Sequence, residues 1–78
     1  MPVRPGYGAQ IYYNGADWDA RFWFPDVSEV RPGDHARSLV AFLSPEEHRG
    51  RMHPGLQFKI REGQREVGSG VVERVLAL

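Results

Sequence analysis

Basic and histidine side chains gather in one charged segment, residues 46–54, which contains a glycine and ends at a proline. Guanidinium and protonated imidazole groups donate charge-assisted hydrogen bonds to anionic oxygens, so side chains of these types bind phosphate. The glycine, the proline and the density of charge predict a solvated loop with room for one short helical turn. The candidate binding residues of this loop are His48, Arg49, Arg51 and His53.

Further basic residues follow the loop and could extend a phosphate-binding patch. They are Lys59, Arg61 and Arg65. Acidic residues interleave with the whole set, namely Glu46, Glu47, Glu62 and Glu66. A solvated surface of mixed charge is therefore the alternative to a binding site. Overall charge adds no attraction for nucleic acid, because ten basic and ten acidic residues balance.

The sequence lacks the residue patterns that metal binding, catalysis and nucleotide binding require. The two loop histidines fit neither the i, i+4 spacing of a zinc helix nor a closed tetrahedral set. The chain has no cysteine, which removes thiolate ligands, thiol catalysis and disulfides. No serine lies in a Gly-x-Ser-x-Gly setting, and no Gly-x-x-x-x-Gly-Lys phosphate loop occurs. We therefore expect no catalysis, no metal, no nucleotide and no other cofactor.

The elements that must position these residues are short strands. Glycines and prolines punctuate runs rich in aromatic and β-branched residues, which is typical of an all-β domain. With 78 residues, the chain has room for one domain with a thin core. The predicted strands cover residues 10–13, 17–24, 36–43, 56–61 and 65–76.

Two dipeptides predict hairpin turns. Asn14-Gly15 suits the left-handed angles of a two-residue turn, and Gly63-Gln64 places glycine at the first central position of another. These turns would join the first predicted strand to the second and the fourth to the fifth.

The last two predicted strands carry further local signals. Strict alternation in residues 56–61 places three apolar side chains on the core face, those of Leu56, Phe58 and Ile60. Gly68 and Gly70, inside the final strand, predict a bulge or a barrel corner.

The segment formed by residues 55–72 resembles the end of the third domain of bacterial translation elongation factor Tu. The similarity is carried by Gly55, Leu56, Phe58, Ile60, Arg61, Glu62, Gly63, Arg65, Val67, Gly68, Gly70, Val71 and Val72. Gly6-Tyr7, residues 10–13 and the segment Arg31-Pro32-Gly33-Asp34 extend it over most of the chain. The resemblance implies a single domain over residues 1–78, a small Greek-key β-barrel of about five or six antiparallel strands. The charged loop, residues 46–54, is an insertion relative to the family.

In that family the third domain contacts the T arm of aminoacyl-tRNA, closes on the GTPase domain and helps to dock the exchange factor elongation factor Ts. The resemblance therefore implies a non-catalytic binding module of translation elongation, with a protein partner or RNA. The RNA- or partner-binding residues that it implies are Gln10, Arg61, Gly63 and Arg65. Inherited tRNA binding is weakened, since Asp19 replaces a family threonine and repels phosphate.

The family's first strand has no counterpart ahead of Gly6. A barrel avoids exposed edges by closing, so the lack of one strand leaves unpaired backbone groups. Residues 1–5, a second copy of the chain or a partner's strand could cover them. Pro2 and Pro5 count against residues 1–5 as the covering segment. Two functions follow: a module that docks a partner, or a homo-oligomeric scaffold whose open edge pairs with itself.

Trp18 and Trp23 are candidate interface residues. In the run Phe22-Trp23-Phe24, alternation sends Trp23 to the face opposite its neighbours, so one face carries a large aromatic side chain. Tryptophan is a frequent interface anchor. The alternative is that Trp18 or Trp23 fills the gap left by the missing strand.

The lack of cysteine predicts a cytoplasmic protein, and the apolar pattern of the sequence predicts neither secretion nor a membrane partner. No apolar run follows Arg4, as a secretory signal would require. No segment approaches the roughly 20 apolar residues of a membrane span.

Overall fold

A computed structural model describes residues 2–78 of the chain, and Met1 lies outside the described residues. Six elements follow one another within this range. They are β1 (Tyr7–Tyr13), β2 (Ala16–Trp23), β3 (Leu39–Phe42), the 3₁₀ helix η1 (Pro45–His48), β4 (Gln57–Glu62) and β5 (Arg65–Val71). The predicted all-β class is confirmed, and the turn of helix overlaps the start of the charged loop.

The strands form one antiparallel sheet in the order β3-β2-β1-β4-β5. The first three strands form a meander, and β4 then returns beside β1 rather than beside β3. The spatial order β4-β1-β2-β3 is a Greek key. The domain is therefore a small barrel-like Greek-key fold with five strands, as expected. β3 and β5 are the outer strands of this order.

The turn between β1 and β2 is built by Asn14-Gly15, as predicted. Both residues have positive φ, 53° and 83°, and the flanking residues Tyr13 and Ala16 are paired. Two consecutive left-handed residues are the signature of a type I′ turn, whose twist matches that of the strands. Asparagine and glycine tolerate this conformation better than other residues, so the local sequence fixes the register of the hairpin.

The turn between β4 and β5 is Gly63-Gln64, also as predicted. Glu62 pairs with Arg65, and Gly63 has a φ of 63°. Beyond it the ladder slips, because Arg61 pairs with Glu66 whereas Ile60 pairs with Gly68. Val67 is thus an extra residue on β5, and the predicted bulge is confirmed.

We expect Gly63→Val to destabilise this hairpin. A β-branched side chain at positive φ costs about 1–2 kcal/mol, because its Cβ crowds the backbone. Chemical denaturation should therefore show a loss of about 1.5 kcal/mol, with the largest amide shifts at the turn. Gly50→Val is the matched control, since Gly50 also has positive φ but joins no strands. An unchanged hairpin spectrum in Gly63→Val would contradict the turn assignment.

The core lies on one face of the central strands. Its buried residues alternate along β1 and β2 and are Ala9, Ile11, Tyr13, Ala20 and Phe22. Partly buried side chains from the other strands pack against them, including Phe42, Leu56, Phe58 and Ile60. The predicted inward face of β4 is confirmed.

Two strands are shorter than predicted, and their neighbours explain why. Leu39 pairs with Trp23, the last residue of β2, so residues 36–38 have no strand beside them. β2 is followed by Phe24 and Pro25, and proline lacks the N–H that a ladder needs. At the other end, the last backbone bonds join Val72 to Leu56 and Gly55. Residues 73–78 extend past the start of β4.

The N-terminal residues pair with a connection rather than with an outer strand. Val3 and Val30 exchange two backbone hydrogen bonds of 2.8 Å, and Val30 lies between β2 and β3. Of the proposed covering segment, residues 1–5, Met1 lies outside the described residues. Within residues 2–78, neither β3 nor β5 has a strand on its outer side.

Candidate functional site

The charged loop is partly buried, so the expectation of a solvated loop is wrong at His48. Pro45 starts η1, as prolines do in a first helical turn. Glu46 and Glu47 are exposed, whereas His48 at the end of the turn is 0% exposed. A single turn therefore places the carboxylates in solvent and the imidazole in the core, where His48 cannot contribute to a basic surface.

Aromatic side chains from three strands enclose the His48 imidazole, and we call this arrangement the aromatic cage. Phe42 of β3 stacks on the ring, with centroids 3.5 Å apart and an angle of 17°. Trp18 of β2 meets it edge-on at 4.7 Å, and Tyr13 of β1 lies at 5.6 Å. Tyr13 Oη and His48 Nδ1 are 2.5 Å apart and share a hydrogen bond. The loop is thereby fastened to three strands.

One polar atom of the cage has no partner. His48 Nε2 is buried and makes no hydrogen bond within the described residues. Burial lowers the pKa of His48, and the positive charge of Arg51 lowers it further, against weaker opposing effects of Glu47 and Glu46. Burial also raises the pKa of Tyr13, which Arg51 partly offsets. Both side chains are thus favoured in their neutral forms.

The other three candidate residues of the loop, Arg49, Arg51 and His53, do not form one cluster. Arg49 Nε donates to the backbone oxygen of Leu78 at 2.9 Å, which fastens the loop to the C-terminal segment. Arg51 and His53 line an open cavity of about 310 Å³, together with Tyr13, Asn14 and Leu56. Of the four predicted loop residues, only Arg51 and His53 therefore lie together, at this open cavity.

Gln10 and Gly63, the pair implied by resemblance, are in direct contact. The backbone N–H of Gly63 donates to Gln10 Oε1 at 3.1 Å. Gln10 Nε2 in turn donates to Asp19 Oδ1 at 3.0 Å. The glutamine therefore bridges the β4–β5 turn and β2, and its side-chain amide is already occupied on both sides.

Arg61 of β4 is the cross-strand partner of Gln10, and its side chain is occupied as well. Its guanidinium is 3.5 Å from an Asp17 carboxylate oxygen and 4.7 Å from the centroid of the Tyr12 ring. The Asp17 pair is a salt bridge, and the Tyr12 geometry is a cation–π contact. A phosphate would have to compete with both for this arginine.

Lys59, on the same face of β4 as Arg61, and Arg65, beside the β4–β5 turn, also have carboxylate partners. Lys59 Nζ lies 3.1 Å from Glu66, and Arg65 lies 3.7 Å from Glu62. Exposed pairs of this kind contribute about 0–1 kcal/mol, so they hold the side chains weakly. The predicted basic patch is consequently mixed in charge.

Tyr7 supplies one further contact with the β4–β5 turn. Its hydroxyl donates to a Glu62 carboxylate oxygen. Burial and this hydrogen bond raise the pKa of Tyr7 to about 12. The turn is therefore fastened to β1 at two points, by Tyr7 and by Gln10.

The two tryptophans have different environments. Trp18 is half-buried and forms one wall of the aromatic cage. Trp23 is 41% exposed on the opposite face of β2, and its backbone oxygen accepts a hydrogen bond from Ser38 Oγ. Trp18 therefore packs inside the domain, while Trp23 is the one available to a partner.

Large apolar side chains are exposed along both outer strands. They are Leu39, Val40 and Leu43 at β3, and Val67, Val71, Val75 and Leu76 on β5 and its extension. We call these residues and their unpaired backbones the outer edges. An Arg37–Glu73 ion pair of 3.9 Å joins the segments next to them, so the edges approach each other at one end.

The sequence was compared with models of known protein families, and no model matches it. Residues 2–78 bring together no group of three histidine, aspartate or glutamate side chains that could hold a metal ion. The same residues form no helix that is long and apolar enough to cross a membrane.

Proposed function

We propose that this chain is a non-catalytic binding module that docks a protein partner at its outer edges. The observation that carries the proposal is the exposure of Val40 on the core-facing side of β3. Val40 pairs with Phe22, which is 3% exposed, yet Val40 itself is 38% exposed. A strand added beside β3 would cover it.

Backbone groups at β3 support the same mode of binding. Leu43 N–H donates to Asp19 O on the β2 side. Because N–H direction alternates along a strand, the N–H groups of Leu39 and Ala41 also face β2, and those of Val40 and Phe42 face outward. Outward donors with apolar side chains beside them are what an extended segment of a partner pairs with in β-augmentation.

The resemblance to the third domain of elongation factor Tu supports a particular kind of partner. In that family the domain meets the GTPase domain and the exchange factor, so we assign the module to translation elongation in the cytoplasm. RNA has less support, because Gln10 is bonded to Asp19 and the nearby Arg61 is paired with Asp17. A translation GTPase domain or exchange factor is therefore the partner we propose.

Calorimetric titration with the purified GTPase domain of elongation factor Tu and with elongation factor Ts tests this function. We expect one of them to bind the chain, and we expect Val40→Pro to abolish binding because proline removes an outward N–H. Val40→Ala is the matched control, since it keeps that N–H. Absence of binding by the unmodified chain would reject the proposed partner.

Sedimentation over a wide concentration range is the companion measurement. A monomer leaves the outer edges free for the partner. A dimer that Val40→Pro dissociates would instead establish the homo-oligomeric scaffold, because the edge would then pair with a second copy.

A further inference from the structure

We propose that His48 is an acid-sensitive latch, which holds η1 against the sheet when its imidazole is neutral and releases it when the imidazole is protonated. The latch consists of His48 and the aromatic cage of Tyr13, Trp18 and Phe42. It does not depend on the proposed partner, because every contact involved lies within the chain.

The hydrogen bonds of the cage suit a neutral ring. Neutral imidazole has one N–H donor and one acceptor nitrogen, and Tyr13 Oη satisfies Nδ1 in either tautomer. Protonated imidazole has two N–H donors, and Nε2 faces no acceptor in residues 2–78. Protonation would therefore leave a charged donor buried without a partner, which is among the most costly arrangements in a protein interior.

The groups around the His48 ring come from three strands, the loop and η1. β1 contributes the hydroxyl of Tyr13, while β2 and β3 contribute the uncharged rings of Trp18 and Phe42. The loop contributes the cation of Arg51, and η1 itself contributes Glu46 and Glu47, whose side chains are exposed. Burial and Arg51 oppose a charge on the ring, and the two carboxylates only partly offset them.

The direction of the pH effect follows from proton linkage. The imidazole pKa is about 6.5 when η1 is released and lower when η1 is docked. The released state therefore binds more protons. Docking weakens as the pH falls from about 6.5 toward the lower pKa of the docked state. With one proton involved, the docking equilibrium constant falls by at most about tenfold per pH unit. Above about pH 7.5 the latch is closed and docking no longer depends on pH.

Release of η1 would change the surface next to the outer edge. Phe42 belongs to β3, and the ring stacked on it is that of His48. When the imidazole leaves, Phe42 and Trp18 lose a wall of the cage and become accessible to water. Acid therefore loosens the end of β3 and uncovers aromatic surface.

Two measurements between pH 7.5 and 5.0 test the latch. Proton NMR of the unmodified chain follows the His48 ring, and we expect it to titrate below the ordinary histidine value of about 6.5. Acrylamide quenching then follows Trp18 in a Trp23→Phe background, where Trp18 is the only tryptophan. We expect its accessibility to rise as the pH falls.

The control is His48→Phe in the same background, which keeps the stacked ring and removes the titrating group. We expect its Trp18 accessibility to stay constant over this pH range. If His48→Phe does not fold, His48→Gln replaces it, because the amide is also neutral throughout. The proposal is overturned if His48 titrates at or above about pH 6.5, if Trp18 accessibility does not change, or if it changes equally in the control.

Discussion

His48→Ala should lower the free energy of unfolding by about 3 kcal/mol at neutral pH, near the middle of the range for large buried side chains cut back to alanine. The ring is fully buried and stacked on Phe42, so its removal leaves a cavity in a close-packed interior. The hydroxyl of Tyr13 also loses its partner, and an unsatisfied buried hydroxyl adds to the cost. Thermal or chemical denaturation measures the effect.

The size of this loss is large for so small a domain. At about 0.05–0.15 kcal/mol per residue, the whole chain has roughly 4–12 kcal/mol of stability. In a domain of this size each kcal/mol shifts Tm by about 4–8 °C, so a drop of more than 10 °C is expected. The variant therefore tests whether η1 is part of the core or only a covering loop.

His53→Ala is the matched control for His48→Ala. His53 lies in the same loop but is exposed, and its imidazole Nδ1 is 3.0 Å from the backbone oxygen of Pro54. Surface substitutions of this kind usually stay within about 0.5 kcal/mol. Equal effects of the two alanine variants would mean that His48 is not the buried member of the pair.

The fold could be predicted where neighbouring residues decide the conformation. Asn14-Gly15 and Gly63-Gln64 build the expected turns because positive φ is a local preference. The inward face of β4 follows from strict alternation, which only one register of the sheet can satisfy. These features need no knowledge of distant parts of the chain.

The aromatic cage could not be predicted in the same way, because it joins residues far apart in the sequence. Tyr13 and His48 are separated by 35 positions, and nothing local indicates that they meet. The charge around His48 favoured a solvated loop, but η1 turns Glu46 and Glu47 outward and the histidine inward. One signal was present: a proline three residues before the histidine, at Pro45, marks the start of a helical turn.

At the outer edges, too, the sequence predicted one part and the structure supplied the other. The expectation of unpaired edges came from a family resemblance, whereas the exposure of Val40 follows from the sheet order. Strand lengths depended on neighbours that the sequence does not identify, which is why β3 begins later and β5 ends earlier than predicted. Binding at these edges stays a prediction.

Gly70→Ala should cost about 2 kcal/mol because the Phe58 ring lies directly over Gly70. The two residues are cross-strand partners, and a Cβ added at Gly70 would lie 2.5 Å from Phe58 Cζ and 2.9 Å from Cε1. Both distances are shorter than real Cβ contacts, so the ring must move within the core to which it is packed. Overpacking of this kind typically costs about 1–3 kcal/mol. Chemical denaturation gives the value.

Gly68→Ala separates this clash from the general effect of replacing a strand glycine. Gly68 lies two residues earlier on β5, and a Cβ added there would meet Ile60 Cδ1 at 3.6 Å, an ordinary contact. We expect a change within about 0.5 kcal/mol. Phe58→Leu should reduce the cost of Gly70→Ala by about 1 kcal/mol in a double-mutant cycle, because the smaller side chain leaves room for the Cβ. Additive effects in that cycle would contradict the packing of Phe58 on Gly70, and with it the reason that β5 requires glycine at this position.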